Sequence, residues 1–403
     1  MNISNEIRQR NLLDIIKVIR NSSQITKPEV AKRANLTNVT AHYYITELIG
    51  KNFLIEDGIA NSNGGRRAVL YKINPVYGYI VSQNMGMDYI RTCIFDINLK
   101  MLYCNKINES TEYSSRVINL MNREIKDAIE KLNLKYDNCM GIGVSVPGQV
   151  DHENGVVLNL INVPGWKNIP LKSILENNFR IPTFLDNDNN VNALAVKWMN
   201  IVDEKSDAVF VSITSGVGLG ILTNGRLFYG SHTSVGEIGH TTIQYDGTKC
   251  NCGNKGCIEV LVSDNAIIEK IKKIKKSQAC FNNADINDIS IETITQLAKQ
   301  GDEAVYSVLK QAADFIGITI DHIVKLYGPD VIVIESNWLK EFNEIFEYIT
   351  DAVFSRCAWI SRDNLFIKLN TVDGIESIGA AALVLEYSFQ YSNENSLIKM
   401  LIG

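Results

Sequence analysis

Residues Cys250–Glu259 read CNCGNKGCIE, and the stretch GEIGH, Gly236–His240, ends ten residues before the first of these cysteines. Three thiols within eight residues, with a glycine just before the third, admit three readings: a metal clasp, a disulfide knot, or chance clustering. The choice turns on compartment. The opening MNISNEIRQR lacks the apolar core of a secretion signal, and no stretch approaches the roughly 20 apolar residues of a bilayer span. A cytoplasmic chain with no membrane partner is expected, and there thiols stay reduced, so a cysteine cluster points to metal. The other five cysteines, Cys93, Cys104, Cys139, Cys280 and Cys357, are scattered along the chain and are expected to pack separately as small core residues.

At 403 residues the chain is too long for one hydrophobic core and implies about two to three domains. Its 45% apolar and 21% charged residues mark an ordinary globular protein. The net charge of −5 hides an asymmetry. Residues 1–72 hold eleven Lys and Arg against six Asp and Glu, so the remainder is strongly acidic. A basic head on an acidic body predicts that the head meets a polyanion.

Within that head, Ile7, Leu12, Ile15, Ile16 and Ile19 form the stripe of an amphipathic helix. Thr26 then reads as an N-cap with Pro28 in the first turn of a short helix to Ala34. Asn35 and Leu36 supply a turn, and Thr37 caps a further helix to about Gly50. Two short helices joined so tightly predict a helix-turn-helix. Thr37, Asn38, Thr40, His42 and Tyr43 are its expected DNA-facing residues, on the side away from Ile45, Leu48 and Ile49. FLIEDG and GGRRAVLYKI predict two strands of a wing carrying Arg66 and Arg67 at its tip. The long helix would enter the major groove of an operator, and the wing arginines would take phosphates or the narrow minor groove. INPVYGY, residues 73–79, predicts the boundary that closes a winged helix-turn-helix domain over residues 1–73.

Beyond residue 78 strands alternate with helices. YIVSQNMG, TCIFDIN and MLYCNKI read as strands, RVINLMNREIKDAIEKLNL as an amphipathic helix, and MGIGVSVPG as a buried strand ending in a turn. A second round runs from DAVFVSITSGVGLGIL through GRLFYG, helices over 264–276 and 291–326, the strand DVIVIES, and a closing helix from Ile378 to about Tyr387. The repeated order predicts two similar α/β lobes with a cleft between them. The first covers 78–190 with the C-terminal helix of about 378–403, and the second covers 191–377.

VSVPGQVD, LDNDNNVNALAV, ITSGVGLG, GEIGH, CNCGNKGCIE and GIESIGAAAL resemble, in order and spacing, the landmarks of the ROK family of repressors, open reading frames and kinases. GGRRAVLYKINP resembles the wing and linker of its repressor branch. The resemblance implies a two-lobed, actin-like sugar-kinase (ribonuclease H-like) α/β domain behind the winged head. The cysteines then give C-x-C-x4-C, which with His240 makes a Cys3His set for one structural Zn2+, all four positions being filled by His240, Cys250, Cys252 and Cys257. Clamping this loop would fix Glu237 and Glu259 as acceptors for neighbouring sugar hydroxyls. By the same resemblance Gly148, Asn162, Asn187, Asp188 and His240 complete a site for a free monosaccharide.

The position of Asp188 matches the base that deprotonates the sugar in kinases of this family. Phosphoryl transfer also needs an intact nucleotide half. Where the kinases carry Asp-x-Gly-Gly-Thr, this chain has NMGMD, with Asn84, Met87 and Asp88 at altered positions. The second phosphate loop reads Thr214-Ser215-Gly216 where Gly-Thr-Gly is usual, and the purine-side strand ends in Glu335-Ser336 where paired glycines are usual. The expectation is therefore a non-enzymatic, sugar-responsive transcriptional repressor that acts as a homodimer or homotetramer on two operator half-sites. The alternatives are an ATP-dependent sugar kinase with a DNA-binding head, and a DNA-binding protein that senses a phosphorylated sugar or a partner protein.

Overall fold

In the computed structural model the N-terminal apolar stripe folds as one helix, α1 (Ile3–Arg20), which buries Leu12, Ile15, Ile16 and Ile19. Ile7 departs from the expectation: five residues before Leu12, it is rotated off the buried face and stands 46% exposed. After β1 (Ile25–Thr26), α2 (Lys27–Arg33) begins with the Glu29 carboxylate accepting from the Thr26 amide at 2.9 Å and the Thr26 hydroxyl at 2.7 Å. Asn35 makes the turn in the left-handed region, φ 54°, which asparagine tolerates. The following helix, α3 (Asn38–Gly50), buries Ala41, Tyr44, Ile45 and Leu48 and leaves its opposite face open. β2 (Leu54–Ile59) and β3 (Val69–Ile73) pair antiparallel, and β1 joins them in the order β1-β3-β2. The structure describes residues 3–22, 24–60, 67–160, 163, 165–232, 234–277, 289–357, 359–389 and 397–402.

The chain divides into two units, residues 1–191 with 376–403, and residues 192–375. In the first, the head is followed by β4 (Tyr79–Met85), β5 (Tyr89–Asp96), β6 (Met101–Asn108), α4 (Ser114–Lys131) and β7 (Cys139–Val146). A small sheet of β8 (Gln149–Asp151), β9 (Val156–Asn159) and β10 (Lys167–Ile169) precedes α5 (Leu171–Phe179), β11 (Thr183–Asn187) and α6 (Asp188–Trp198), within which the chain passes to the second unit. The main sheet has the order β11-β7-β4-β5-β6: β4, β5 and β6 form an antiparallel meander, and β7 and β11 add in parallel.

The second unit holds β12 (Ala208–Ile213), β13 (Val217–Thr223), β14 (Arg226–Leu227), α7 (Glu259–Val262) and α8 (Asp264–Ser277). It continues with α9 (Ile291–Lys299), α10 (Glu303–Tyr327), β15 (Val331–Ser336), α11 (Asn343–Arg356) and β16 (Phe366–Leu369). The single helix expected over 291–326 is two, because Gly301 turns the chain at φ 89° and Asp302 caps α10 by accepting from the Val305 amide. This sheet runs β14-β13-β12-β15-β16, again a three-stranded meander extended by two parallel strands. Two lobes of one topology are thus present, as the repeated sequence order implied.

The chain re-enters the first unit at α12 (Ile375–Ser388) and ends in α13 (Leu397–Ile402), not in one continuous helix. Gly141, Gly143 and Ser145 of β7 face α12, while Ile142, Val144 and Val146 alternate to the opposite, apolar face shared with α4 and α5. Gly143 has to be glycine, because a Cβ there would collide with the Ala380 carbonyl. α13 packs on α1: Leu397, Ile398 and Leu401 are buried, and the Lys51 ammonium donates to the Leu401 carbonyl at 2.6 Å. Cys93 and Cys104 are not separate core thiols. The antiparallel β5–β6 register sets them opposite each other with Cα atoms 4.0 Å apart, and the structure joins them in a disulfide. Spacing along the chain could not show this, since it depends on where the hairpin turns. Among the described residues no helix is long and apolar enough to cross a membrane.

Candidate functional site

The cysteine loop of the second unit is built by its backbone. Ile258 donates to Thr241, Gly256 to Thr248 and Cys250 to Asn254, so the loop folds back on the segment that carries His240. Gly256 sits at φ 63°, and a Cβ there would collide with the Gln244 carbonyl, which makes this glycine obligatory. The result brings one donor atom each from His240, Cys250, Cys252 and Cys257 within 4.8 Å of one another. Cys252 Sγ lies 3.7 Å from Cys257 Sγ, and Cys250 Sγ lies 3.7 Å from His240 Nδ1. Four ligands at tetrahedral angles, with bonds of about 2.0–2.3 Å, have ligand–ligand edges of roughly 3.5–3.8 Å, so the donors fit one metal ion. Burial pushes the Cys257 thiol up to about 12, whereas the Asn254 amide donates to Cys252 and lowers it. A cation held by these four residues would reverse the balance at Cys257 by favouring the thiolate.

Two carboxylates flank this cluster. Glu237 opens the turn Ile238–His240, and its Oε2 lies 3.9 Å from His240 Nε2, the ring nitrogen not directed at Cys250. Burial raises the Glu237 pKa; His240 opposes the shift and Glu259 adds to it. Glu259 is the first residue of α7, and its Oε2 accepts from the Val217 amide at 3.3 Å. The same carboxylate therefore steadies the end of the 214–217 loop, a link that spacing did not suggest.

In the first unit Asn187 Nδ2 donates to the Gly148 carbonyl at 2.9 Å, which ties the end of β11 to the turn after β7. Asp188 begins α6, with its Oδ1 accepting from the Asn189 amide and side chain, both at 2.9 Å. Gly148, Asn187 and Asp188 thus converge at the carboxyl ends of adjacent parallel strands. Asn162 lies outside the described residues. Tyr89 stands close enough to Asp188 to feel its charge: burial first, then Glu376, with Asp188 adding, push its hydroxyl up to about 12. The sequence reading missed Tyr89, and no motif marks it. Nearby, residues 86–89 close a tight hairpin turn in which Gly86 donates to the Tyr89 carbonyl, with Met87 49% exposed and Asn84 buried.

On the head, Thr37 Oγ1 accepts from the Thr40 amide at 3.1 Å and lies 2.8 Å from the Thr40 hydroxyl. Both hydroxyls therefore take part in the helix cap, and Thr40 is only half exposed. Asn38, His42 and Tyr43 do face outward, with His42 Nδ1 3.2 Å from the Lys27 ammonium. Val39, which the sequence reading passed over, is 80% exposed between them. Arg67 is exposed, and Arg66 lies outside the described residues.

Two sheets of one topology, each a meander continued by parallel strands, define a protein with the actin-like α/β fold. More narrowly, the chain belongs to the ROK family, whose model matches residues 80–387. It is 30% identical to the xylose repressor of Caldicellulosiruptor bescii over 388 residues, covering 94% of this chain and 96% of that protein. A crystal structure of a ROK family transcriptional regulator, a homolog of the Escherichia coli MLC protein, superposes with a TM-score of 0.78 at 24% identity, over 98% of this chain and 99% of that one. A ROK family glucokinase from Streptomyces griseus, solved with glucose and AMPPNP, superposes with a TM-score of 0.67 at 20% identity over 77% of this chain and all of that one.

Proposed function

We propose that this protein is a transcriptional repressor that binds operator DNA through residues 1–73 and changes its grip when a free monosaccharide occupies its ROK domain. The observation that carries the reading is the head: a capped helix, α3, with one face buried and the other open, precedes a ROK domain. The xylose repressor and the transcriptional regulator match the chain with its head, whereas the glucokinase matches about three quarters of it. Of the two regulators reported above, the one with a named sugar is a xylose repressor, so pentoses are the first effectors to try.

In this reading Gly148, Asn162, Asn187, Asp188, Glu237, His240 and Glu259 are the sugar-contacting residues. Charged acceptors give specificity, because an analogue lacking a hydroxyl leaves a carboxylate unpaired. A structural Zn2+ held by His240, Cys250, Cys252 and Cys257 would leave no position open for an activated water, so its contribution is to hold the loop that carries Glu237 and Glu259. His240 presents Nδ1 to the cluster and Nε2 toward Glu237, the usual way in which an outer carboxylate orients a ligating imidazole. A dimer would place two α3 helices in successive major grooves about 34–36 Å apart. Complete switching requires sugar to favour the released state by on the order of 5 kcal/mol.

The kinase alternative rests on Asp188 and on the glucokinase likeness. Against it stand Asn84, Met87 and Asp88, Thr214 and Ser215, and Glu335 and Ser336 at the three nucleotide elements. Incubating the protein with Mg-ATP and a panel of pentoses and hexoses separates the readings. The expected outcome is a sugar-dependent change in operator affinity without ADP release; sugar-dependent ADP release would overturn the assignment as a non-enzyme.

A further inference from the structure

The recognition face of α3 carries a side chain that neither packing nor helix propensity explains. Val39, the second residue of α3, is 80% exposed, and Tyr43, one turn later on the same face, is 58% exposed. The buried side of the helix is fully supplied by Ala41, Tyr44, Ile45 and Leu48, so Val39 contributes nothing to the core of the head. A β-branched residue also lowers helix propensity, because its χ1 freedom is lost against the preceding turn. Its neighbours have other duties: the Thr37 and Thr40 hydroxyls close the cap, and His42 Nδ1 faces the Lys27 ammonium. What remains between Asn38 and His42 is a methyl-bearing knob at the end of the helix that, in helix-turn-helix proteins, meets base edges.

Resting on the DNA-binding reading above, we propose that Val39 is a specificity-determining residue that recognises the C5 methyl group of a thymine in the major groove. The occupant follows from charge and shape together. The head holds eleven Lys and Arg against six Asp and Glu, so its expected partner is a polyanion. Of the groups a duplex displays in the major groove, the thymine methyl is the apolar one. Tyr43 extends the apolar strip, its ring steadied edge-on against the buried Tyr44 ring with centroids 5.3 Å apart. Two side chains four residues apart on a helix span about 6 Å, close to two base steps of about 3.4 Å each, so Val39 has room for one methyl without displacing the flanking polar contacts.

The test uses duplexes selected by the full-length protein from a random 30-base-pair library. Each thymine of the selected site is then replaced in turn by deoxyuridine, which removes only the methyl group. Wild-type protein is expected to lose about fourfold in affinity at one thymine per half-site, the value of one buried methyl. Val39→Ala is expected to bind the unmodified site more weakly and to show no further loss at that deoxyuridine, while an unchanged melting temperature confirms that the head is folded. An undiminished uridine penalty in Val39→Ala, or no penalty at any thymine, overturns the inference while leaving DNA binding intact. A changed oligomeric state in Val39→Asp, with no uridine effect in wild type, would assign the face to a second copy of the chain and overturn it as well. A library that yields no enriched duplex would overturn the DNA-binding reading itself, and the inference with it.

Discussion

Removing residues 397–403 deletes α13 and tests whether the head is stable by itself. Leu397, Ile398 and Leu401 are buried at 5%, 0% and 1% exposure, and the packing partner of the helix is α1. Full burial of an aliphatic side chain is worth about 1.5–3 kcal/mol, so the three contribute about 5–9 kcal/mol as an upper bound. A domain the size of the head draws only about 3–5 kcal/mol from its own core. Even a third of the α13 contribution, about 2 kcal/mol, would raise the open fraction of α1 roughly thirtyfold. Hydrogen exchange read by mass spectrometry should therefore show α1 and α3 exchanging at least tenfold faster in the truncated chain, with the second unit unchanged. Leu401→Asp should give the same pattern by burying an unpaired charge. Exchange in α1 within twofold of the full-length chain would refute the claim that the C-terminal helix supports the head.

Cys257→Ser should remove bound metal, measured by atomic emission, and abolish the sugar-induced change in operator affinity; loss of metal with sugar affinity retained would sever the loop from the sugar site. Arg67→Ala, alone and with Arg66→Ala, should weaken operator binding and flatten its dependence on salt by about one unit per lost phosphate contact, so an unchanged slope in titrations between 50 and 200 mM salt would place the wing off the backbone. Asp264 is buried, and that burial raises its pKa to about 6, against the partial relief of an Asn337 hydrogen bond. The native state therefore holds this proton more tightly than the unfolded chain. The stability so gained is full below about pH 4 and is lost as pH rises through 6, a swing of about 3 kcal/mol. Asp264→Asn should accordingly raise the denaturant midpoint at pH 7.5 and leave it unchanged near pH 4; a gain of equal size at both pH values would trace the effect to packing.

The parts of the molecule that were legible in the sequence are those in which a local rule governs. Strand and helix order, the repeated topology and the turn at Asn35 follow from hydrophobic period and turn chemistry, which act over a few residues. The cluster of four candidate metal donors was readable because three share one eight-residue loop and His240 closes the preceding motif. Hairpin register was not readable, and with it went the Cys93–Cys104 pairing, since a shift of one residue would have sent the two thiols to opposite faces. The docking of α13 was equally hidden: a short apolar segment after residues 390–396 states that it wants a partner but not which one.

The outward face of α3 shows the same divide at finer grain. Thr37 and Thr40 are polar, adjacent to a helix start and on the outward side, and every sequence rule that proposes them as base readers applies equally to helix caps. Only the 2.8 Å separation of their hydroxyls shows that they bond to each other. Polarity therefore marks which side of α3 faces water, but not which groups on it are free to bond. The cap takes up part of the capacity of each hydroxyl and Lys27 faces His42 Nδ1, so more of the uncommitted hydrogen-bonding capacity of this face falls to Asn38 and His42 Nε2. That redistribution explains why an exposed valine can sit among polar residues without weakening the polar contacts. It also predicts that Thr40→Val, which removes the hydroxyl contact while keeping the shape and the amide that donates to Thr37, should lower the stability of α3 by about 1 kcal/mol or less and leave the preferred operator sequence unaltered. A changed sequence preference in a library selection with Thr40→Val would mean that the Thr40 hydroxyl reads a base after all.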